Sequence, residues 1–326
     1  MTSQADYFYA ENDGHIPVML AEVLETLSPR NGGVYVDGTF GAGGYTQAIL
    51  NAANCTVYAI DRDPDAFARA QKMAQAFPGR LFPLLGCFGS VAELLATQGI
   101  SKIDGLVLDL GVSSIQLSSP ERGFSFRHDG PLDMRMSKEG LSAADLVNQE
   151  SEQELARILF TYGEERASRK IAKKIIAARA ASRIETTKEL ADIIHSILPM
   201  HGGIKTDTAT RSFQALRIFV NDELGELERA LTSTENLLQP QGRLVVVSFH
   251  SLEDWRVKQF LREKSGKMPG TSRHLPSPTT SAPCIFHVEK SNGIAPSVEE
   301  TTRNPRARSA RLRYGIRLDA TGVMHA

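Results

Sequence analysis

Val34-Tyr35-Val36-Asp37-Gly38-Thr39-Phe40-Gly41-Ala42-Gly43-Gly44 is the stretch on which the reading of the fold turns. A short β-branched and aromatic run leads into an acid and then into a loop rich in glycine. A helical pattern begins near Tyr45. Strand, glycine loop and helix in that order form a turn in which the backbone can bend sharply and approach a ligand beside the positive end of a helix. Outward from it the alternation continues. Thr56 to Ile60 is a β-branched run, and Pro64 to Ala76 reads as a helix with proline in its first turn. Arg80 to Leu85 and Ile103 to Asp109 are two further strands. Strands alternating with helices predict an α/β fold, a Rossmann-like parallel sheet covered on both faces.

The next buried strand, Arg243 to Phe249, comes only after more than a hundred residues. Ahead of it Leu216, Phe219, Val220, Leu224, Leu227 and Leu231 fall on one stripe of a single amphipathic helix, which Pro240 and Gly242 end. The residues between are too many for a structureless loop and carry helix signals of their own. Ser151 with Glu154, and Thr186 with Glu189, match capping boxes. The expected organisation is therefore a discontinuous sheet domain, 1–117 with 210–326, and an inserted all-helical domain, 118–209. Trp255 to Lys264 reads as a helix and Ser265 to Pro283 as an exposed loop. Cys284 to Glu289 and Ala310 to Leu318 read as a terminal strand pair.

The chain has 326 residues, 41% hydrophobic and 23% charged, enough for a sizeable core. A net charge of −1 excludes a uniformly basic nucleic-acid binder but not local basic patches. Cys55, Cys87 and Cys284 lie far apart, which argues against a disulfide framework or a cysteine zinc site. The first twenty residues lack the basic start and apolar core of a signal peptide, and no run is long and apolar enough to span a membrane. The expectation is a cytoplasmic protein.

Two acids give the glycine loop its chemistry. Asp61 ends the second strand, where a carboxylate accepts both hydroxyls of a ribose; the alternative is a helix cap, since Asp63 and Pro64 follow. Asp109 ends the fourth strand at the same carboxyl edge, where open α/β sheets bind ligands. The loop opens on Asp37 and lacks the Gly-x-Gly-x-x-Gly of nicotinamide enzymes. An acid there suits a cofactor with a charged amino-acid end, such as S-adenosylmethionine, better than one with a pyrophosphate.

With these residues in place the chain resembles the bacterial ribosomal small-subunit methyltransferase H family, also called MraW. The blocks that carry the resemblance are His15 to Val18, Asp37 to Gly44, Ala59 to Pro64, Leu108 to Ser114, Glu121 to Phe126 and Asp129 to Met136. Tyr162 to Arg166, Arg211 to Asn221, Ser248 to Asp254 and Asn304 to Ser309 complete the set. They run in order over nearly the whole chain. The resemblance implies a class I S-adenosylmethionine methyltransferase sheet with an inserted helical domain, acting on N4 of a decoding-centre (P-site) cytidine of 16S rRNA. It implies cofactor contacts at Gly43, Gly44, Tyr45, Asp61, Phe88, Asp109 and Gln116. Position 45 departs from the family's frequent histidine, so a contact there survives only through the backbone.

Methyl transfer needs alignment and exclusion of water more than it needs a metal, and no His/Cys/Asp spacing suggests one. The cytosine amine lone pair is delocalised, so an acceptor that turns it toward the methyl is sought. The candidates are Asp109, Asp133 and His250, with Ser113 beside them. Phe249, Phe124 and Phe126 are candidate base-stackers. Each has a plainer reading: Phe249 as core, His250 as a hydrogen-bonding residue, Asp133 as a partner of Arg135 or Arg127. Basic residues concentrate in 166–183 and 303–317, candidate phosphate contacts within the small ribosomal subunit. A homodimer is compatible with the sequence. The competing functions are a small-molecule methyltransferase, which needs neither the insertion nor the arginine tail, a nicotinamide oxidoreductase, and a non-catalytic RNA-binding assembly factor.

Overall fold

The structure, a computed structural model, describes residues 17–199, 207–266 and 284–319. It divides into two compact units. The first joins residues 1–111 with 225–326; the second is 112–224.

The first unit opens with α1 (Leu20–Leu27), β1 (Val34–Asp37), α2 (Gly44–Ala52), β2 (Thr56–Asp61), α3 (Pro64–Ala74), β3 (Leu81–Leu85), α4 (Val91–Ala96) and β4 (Ile103–Asp109). In the second unit follow α5 (Ser114–Ser118), α6 (Ala143–Gln149), α7 (Glu152–Gly163), α8 (Ser168–Arg179), α9 (Thr187–His195) and α10 (Thr210–Asn221). Then come α11 (Glu223–Leu237), β5 (Leu238–Ser248), α12 (Ser251–Lys264), β6 (Phe286–His287), α13 (Val298–Arg303) and β7 (Arg311–Arg317).

The strands form one sheet in the order β3-β2-β1-β4-β5-β7-β6. Pairs from β3 to β5 are parallel, and β7 runs antiparallel to both β5 and β6. Parallel strands are covered on both faces, so they are apolar throughout and alternate residues feed opposite cores. Tyr35, Val57, Val107, Val245 and Val247 enter one core with Ile49, Leu312 and Tyr314. Their neighbours Val36, Tyr58, Leu106, Leu108, Leu244 and Val246 enter the other, with Leu227, Leu231 and Val257.

Helix α3 starts where the proline signal places it, with Asp63 as its N-cap accepting the Asp65 N–H. In the second unit Thr186 and Glu189 form a full capping box. Ser151 caps α7 by accepting the Glu154 N–H. A separate core of Leu146, Leu155, Ile158, Ile171, Leu190, Phe213 and Leu216, among others, holds this unit. Its motif loops are tied by Asn221, 2% exposed, which accepts the Met136 N–H and donates to the carbonyls of Met134 and Arg217. Arg122 donates to the carbonyls of Arg135 and Met136.

Two sequence expectations are corrected. The single amphipathic helix is two helices, α10 and α11, because Asp222 adopts a left-handed φ of 48° and closes α10. The apolar stripe is divided accordingly: Leu216 belongs to the second unit's core, and Leu227 and Leu231 to a core of the first. Strand β5 begins at Leu238 rather than Arg243. Leu238 pairs with Ile103 and Arg243 with Gly105, so the residues between bulge out, with Gln241 at φ 68°. The Pro240–Gly242 signal is thus a bulge within the strand. The expected loop Ser265–Pro283 lies, after its first two residues, outside the described residues. Cys55, Cys87 and Cys284 are free thiols. No helix among the described residues is long and apolar enough to cross a membrane.

Candidate active site

Strand register places the acids. Asp37 pairs with Ala59 in β2 and with Val107 in β4, so Asp61 and Asp109 each lie two residues beyond its level, on either side of β1. Between them the chain leaves β1 as the glycine loop. The loop is held at each step. Gly38 N–H donates to the Val107 carbonyl, Phe40 N–H to that of Ile60 and Gly43 N–H to that of Phe40. Gly43 has φ +84°, and a Cβ there would lie 2.7 Å from the Phe40 ring. A Cβ on Gly44 would lie 2.3 Å from Pro17, and on Gly38 2.5 Å from Leu108 and 3.3 Å from Phe88 Cβ. Glycine at these positions is a requirement of close packing.

Asp37 is 1% exposed and turned inward. It accepts the Thr39 N–H at 3.2 Å, and the Thr46 N–H and hydroxyl at 3.2 and 2.7 Å, locking loop to helix α2. Burial pushes its carboxyl up to about 6, against the pull of those hydrogen bonds. Asp61 accepts the Gly41 N–H at 2.8 Å on Oδ2 and the Asp63 N–H at 2.8 Å on Oδ1. The capping role falls to Asp63, and Asp61 instead ties the loop to β2. Burial raises its pKa as well.

Asp109 differs. Its backbone N–H donates to the Thr39 hydroxyl at 2.6 Å, but Oδ1 is buried with no hydrogen-bond partner. Burial, then the charges of Asp37 and Glu253, push its pKa well above the carboxylate range. A buried acceptor left open in this way is costly within the fold itself.

Tyr45 stands in the first turn of α2, and its hydroxyl donates to the Val18 carbonyl. The side chain is committed to the core, so a ligand would meet only the backbone of this helix start. Phe88 begins the turn after β3 and packs on the sheet core beside Gly38. His250 follows β5, whose Val247 pairs with Asp109. Its Nε2 lies 3.1 Å from Glu253 Oε1, within ion-pair distance, yet neither ring nitrogen has an aligned hydrogen-bond partner. Glu253 holds the turn by accepting the N–H groups of Phe249 and His250. Phe249 packs against the sheet core.

Gln116 and Asp133 belong to the second unit. Gln116 is buried and accepts the Ser113 N–H, while Ser113 accepts the Gln116 N–H, a capping box at α5. Asp133 binds the Arg135 guanidinium through both oxygens, at 2.6 to 3.2 Å. Phe124 is buried in the second unit's core, and Phe126 packs edge-on against Phe213 with ring centroids 4.6 Å apart. Sequence reasoning passed over Thr39, Thr46 and Glu253. The glutamate at the third position of α12 was the legible signal, since that is where a capping-box acid stands.

The basic segments separate by burial. Arg166, Arg169, Lys170, Lys173 and Lys174 are exposed, whereas Arg179 donates to the carbonyls of Val147 and Glu150. Arg303, Arg306 and Arg308 are exposed. Arg313 is buried against Asp254 in a two-bond pair, and Arg317 donates to the carbonyls of Glu235, Ile285 and Leu318.

Sheet order, reversed last strand and an acid-lined glycine loop at the carboxyl edge define a Rossmann-like methyltransferase. The model of the MraW methylase family matches residues 12–317. Ribosomal RNA small subunit methyltransferase H of Hyphomonas neptunium is 54% identical over 311 residues, covering 95% of this chain and 91% of its own. Proteins of the same name from Paramagnetospirillum magneticum and Granulibacter bethesdensis are 54% and 55% identical. They cover 94% and 92% of this chain and 96% and 90% of their own. The chain belongs to the MraW methylase family.

Proposed function

We propose that this protein transfers the methyl group of S-adenosylmethionine to N4 of a decoding-centre cytidine of 16S rRNA. The observation that carries the reading is the open, buried Asp109 carboxylate beside a glycine loop held by two further acids. Burial and mutual repulsion disfavour charge on these three acids and a pyrophosphate would disfavour it further, whereas a cofactor bearing a sulfonium and an ammonium lets them ionise. This favours methyl transfer over hydride transfer, and it argues against an assembly factor that has lost its cofactor.

When bound, the cofactor supplies an already activated methyl. The protein's residues would hold it: Gly43, Gly44 and the Tyr45 backbone at the start of α2, Asp61 toward the ribose and Phe88 against the loop, with Gln116 added by the family resemblance. Asp109 supplies negative potential for the cationic donor or accepts an amine hydrogen of the base. His250, with two ring nitrogens unmatched, is the other acceptor in the first unit. Asp133 would have to release Arg135 to serve. The helical insertion, expected over 118–209, would recognise RNA, with the exposed cations of 166–183 and 303–317 gripping phosphates in a salt-dependent way. We place the protein in the cytoplasm. A homodimer is compatible with this reading, and sedimentation at assay concentration distinguishes it from a monomer.

The test is transfer of labelled methyl to small ribosomal subunits lacking the modification, followed by nucleoside mass spectrometry. N4-methylcytidine should appear with the purified protein and vanish with Asp109→Ala. Cofactor binding without any transfer would overturn the assigned acceptor.

A further inference from the structure

Helix α12 leaves the carboxyl end of β5. Its exposed positions are Ser251, Trp255, Lys258 and Arg262, spaced by four, three and four residues, which is one stripe of a helix. Val257 and Leu261 face the core. Trp255 is the chain's single tryptophan and is 60% exposed.

The acids around it are engaged within the fold. Asp254 is paired with Arg313, and Glu253 is buried under the turn. Glu263 accepts from the Gln259 amide, and Glu228 holds Arg256. What faces solvent on the stripe is an indole followed by two cations, with the Arg256 guanidinium 5.9 Å from the ring centroid. An aromatic face with cations in line is the arrangement that binds a single strand, the ring stacking on a base and the cations following the backbone.

Register adds the location. Asp109 pairs with Val247, and Ser248 pairs with Arg311. The start of α12 therefore leaves the sheet at the edge that carries Asp109. The turn bearing exposed Arg306 and Arg308 enters β7 at that same edge.

We propose that Trp255 stacks on a base of the RNA strand flanking the methylated nucleotide, with Lys258 taking a phosphate beside it. The inference rests on the RNA-methylation reading and names a substrate contact for it. Two measurements on the full chain test it. In steady-state transfer to unmodified small subunits, Trp255→Ala should raise KM for the subunit about tenfold, with kcat and S-adenosylmethionine affinity held. Trp255→Phe, which keeps a stacking ring, should restore most of the loss. A single-stranded RNA fragment carrying the target should quench the lone tryptophan's fluorescence. An unchanged KM in Trp255→Ala, together with unquenched fluorescence, overturns the inference while leaving the methylation reading intact. No methyl transfer by the unaltered chain would overturn that reading, and the inference with it.

Discussion

The two ends of strand β4 carry an aspartate each, and the fold treats them in opposite ways. Asp104, at the amino end, is 9% exposed and fully engaged: it accepts from Arg30, from the Gln239 amide and from the Val34 N–H at 2.8 Å. Asp109, at the carboxyl end, keeps a buried oxygen without a partner and has acids for neighbours. One carboxylate is spent on closing the fold. The other is held at a cost that only a ligand can repay, as expected of groups poised for binding or chemistry.

Substitutions sharpen the contrast. Asp109→Ala should reduce methyl transfer by more than about a hundredfold, while the melting temperature of the ligand-free protein holds or rises, because an unmatched buried acceptor is removed. A fall in melting temperature like that of a core mutation would erase the distinction between the two ends.

Next in size is a pH effect. The folded Asp37 binds its proton more tightly than the unfolded chain does. Stability should therefore fall as pH rises from the ordinary carboxylate value of 3.8 to about 6 and level off above. The drop is about 3 kcal/mol at most. Denaturant titrations across that range should show the slope, and Asp37→Asn should reduce it.

Asp104→Ala should cost about 2 kcal/mol, chiefly by stranding the Val34 N–H, with transfer by the folded fraction unchanged. Smallest is Arg30→Ala. Its side chain is 61% exposed, so losing the ion pair should cost only about 0.5 kcal/mol in chemical denaturation.

The site's frame was legible because short-range rules write it. Short apolar runs, a glycine loop and acids at strand ends follow from backbone geometry alone. What escaped depends on tertiary context. Nothing local marks Asp222 as left-handed, and the stripe from Leu216 to Leu231 is continuous in sequence although two cores share it. The arginines near the C-terminus look alike in the sequence, yet Arg313 is buried on Asp254 and Arg308 is exposed. Only the helix packed on β7 decides that. The open oxygen of Asp109 was also out of reach, since an acid at a strand end can equally be satisfied by the fold, as Asp104 is.

Strand β7 has a consequence for how the molecule is made. It lies inside the sheet, between β5 and β6, although it is built from residues 311–317. During synthesis β5 must wait beside an unfilled edge until residues 311–317 have emerged, and β6, made before them, has no neighbour to join. Sheet completion is thus tied to the emergence of β7. A nascent chain stalled before Arg311 would hold an exposed hydrophobic edge, the kind of intermediate that invites aggregation or a chaperone.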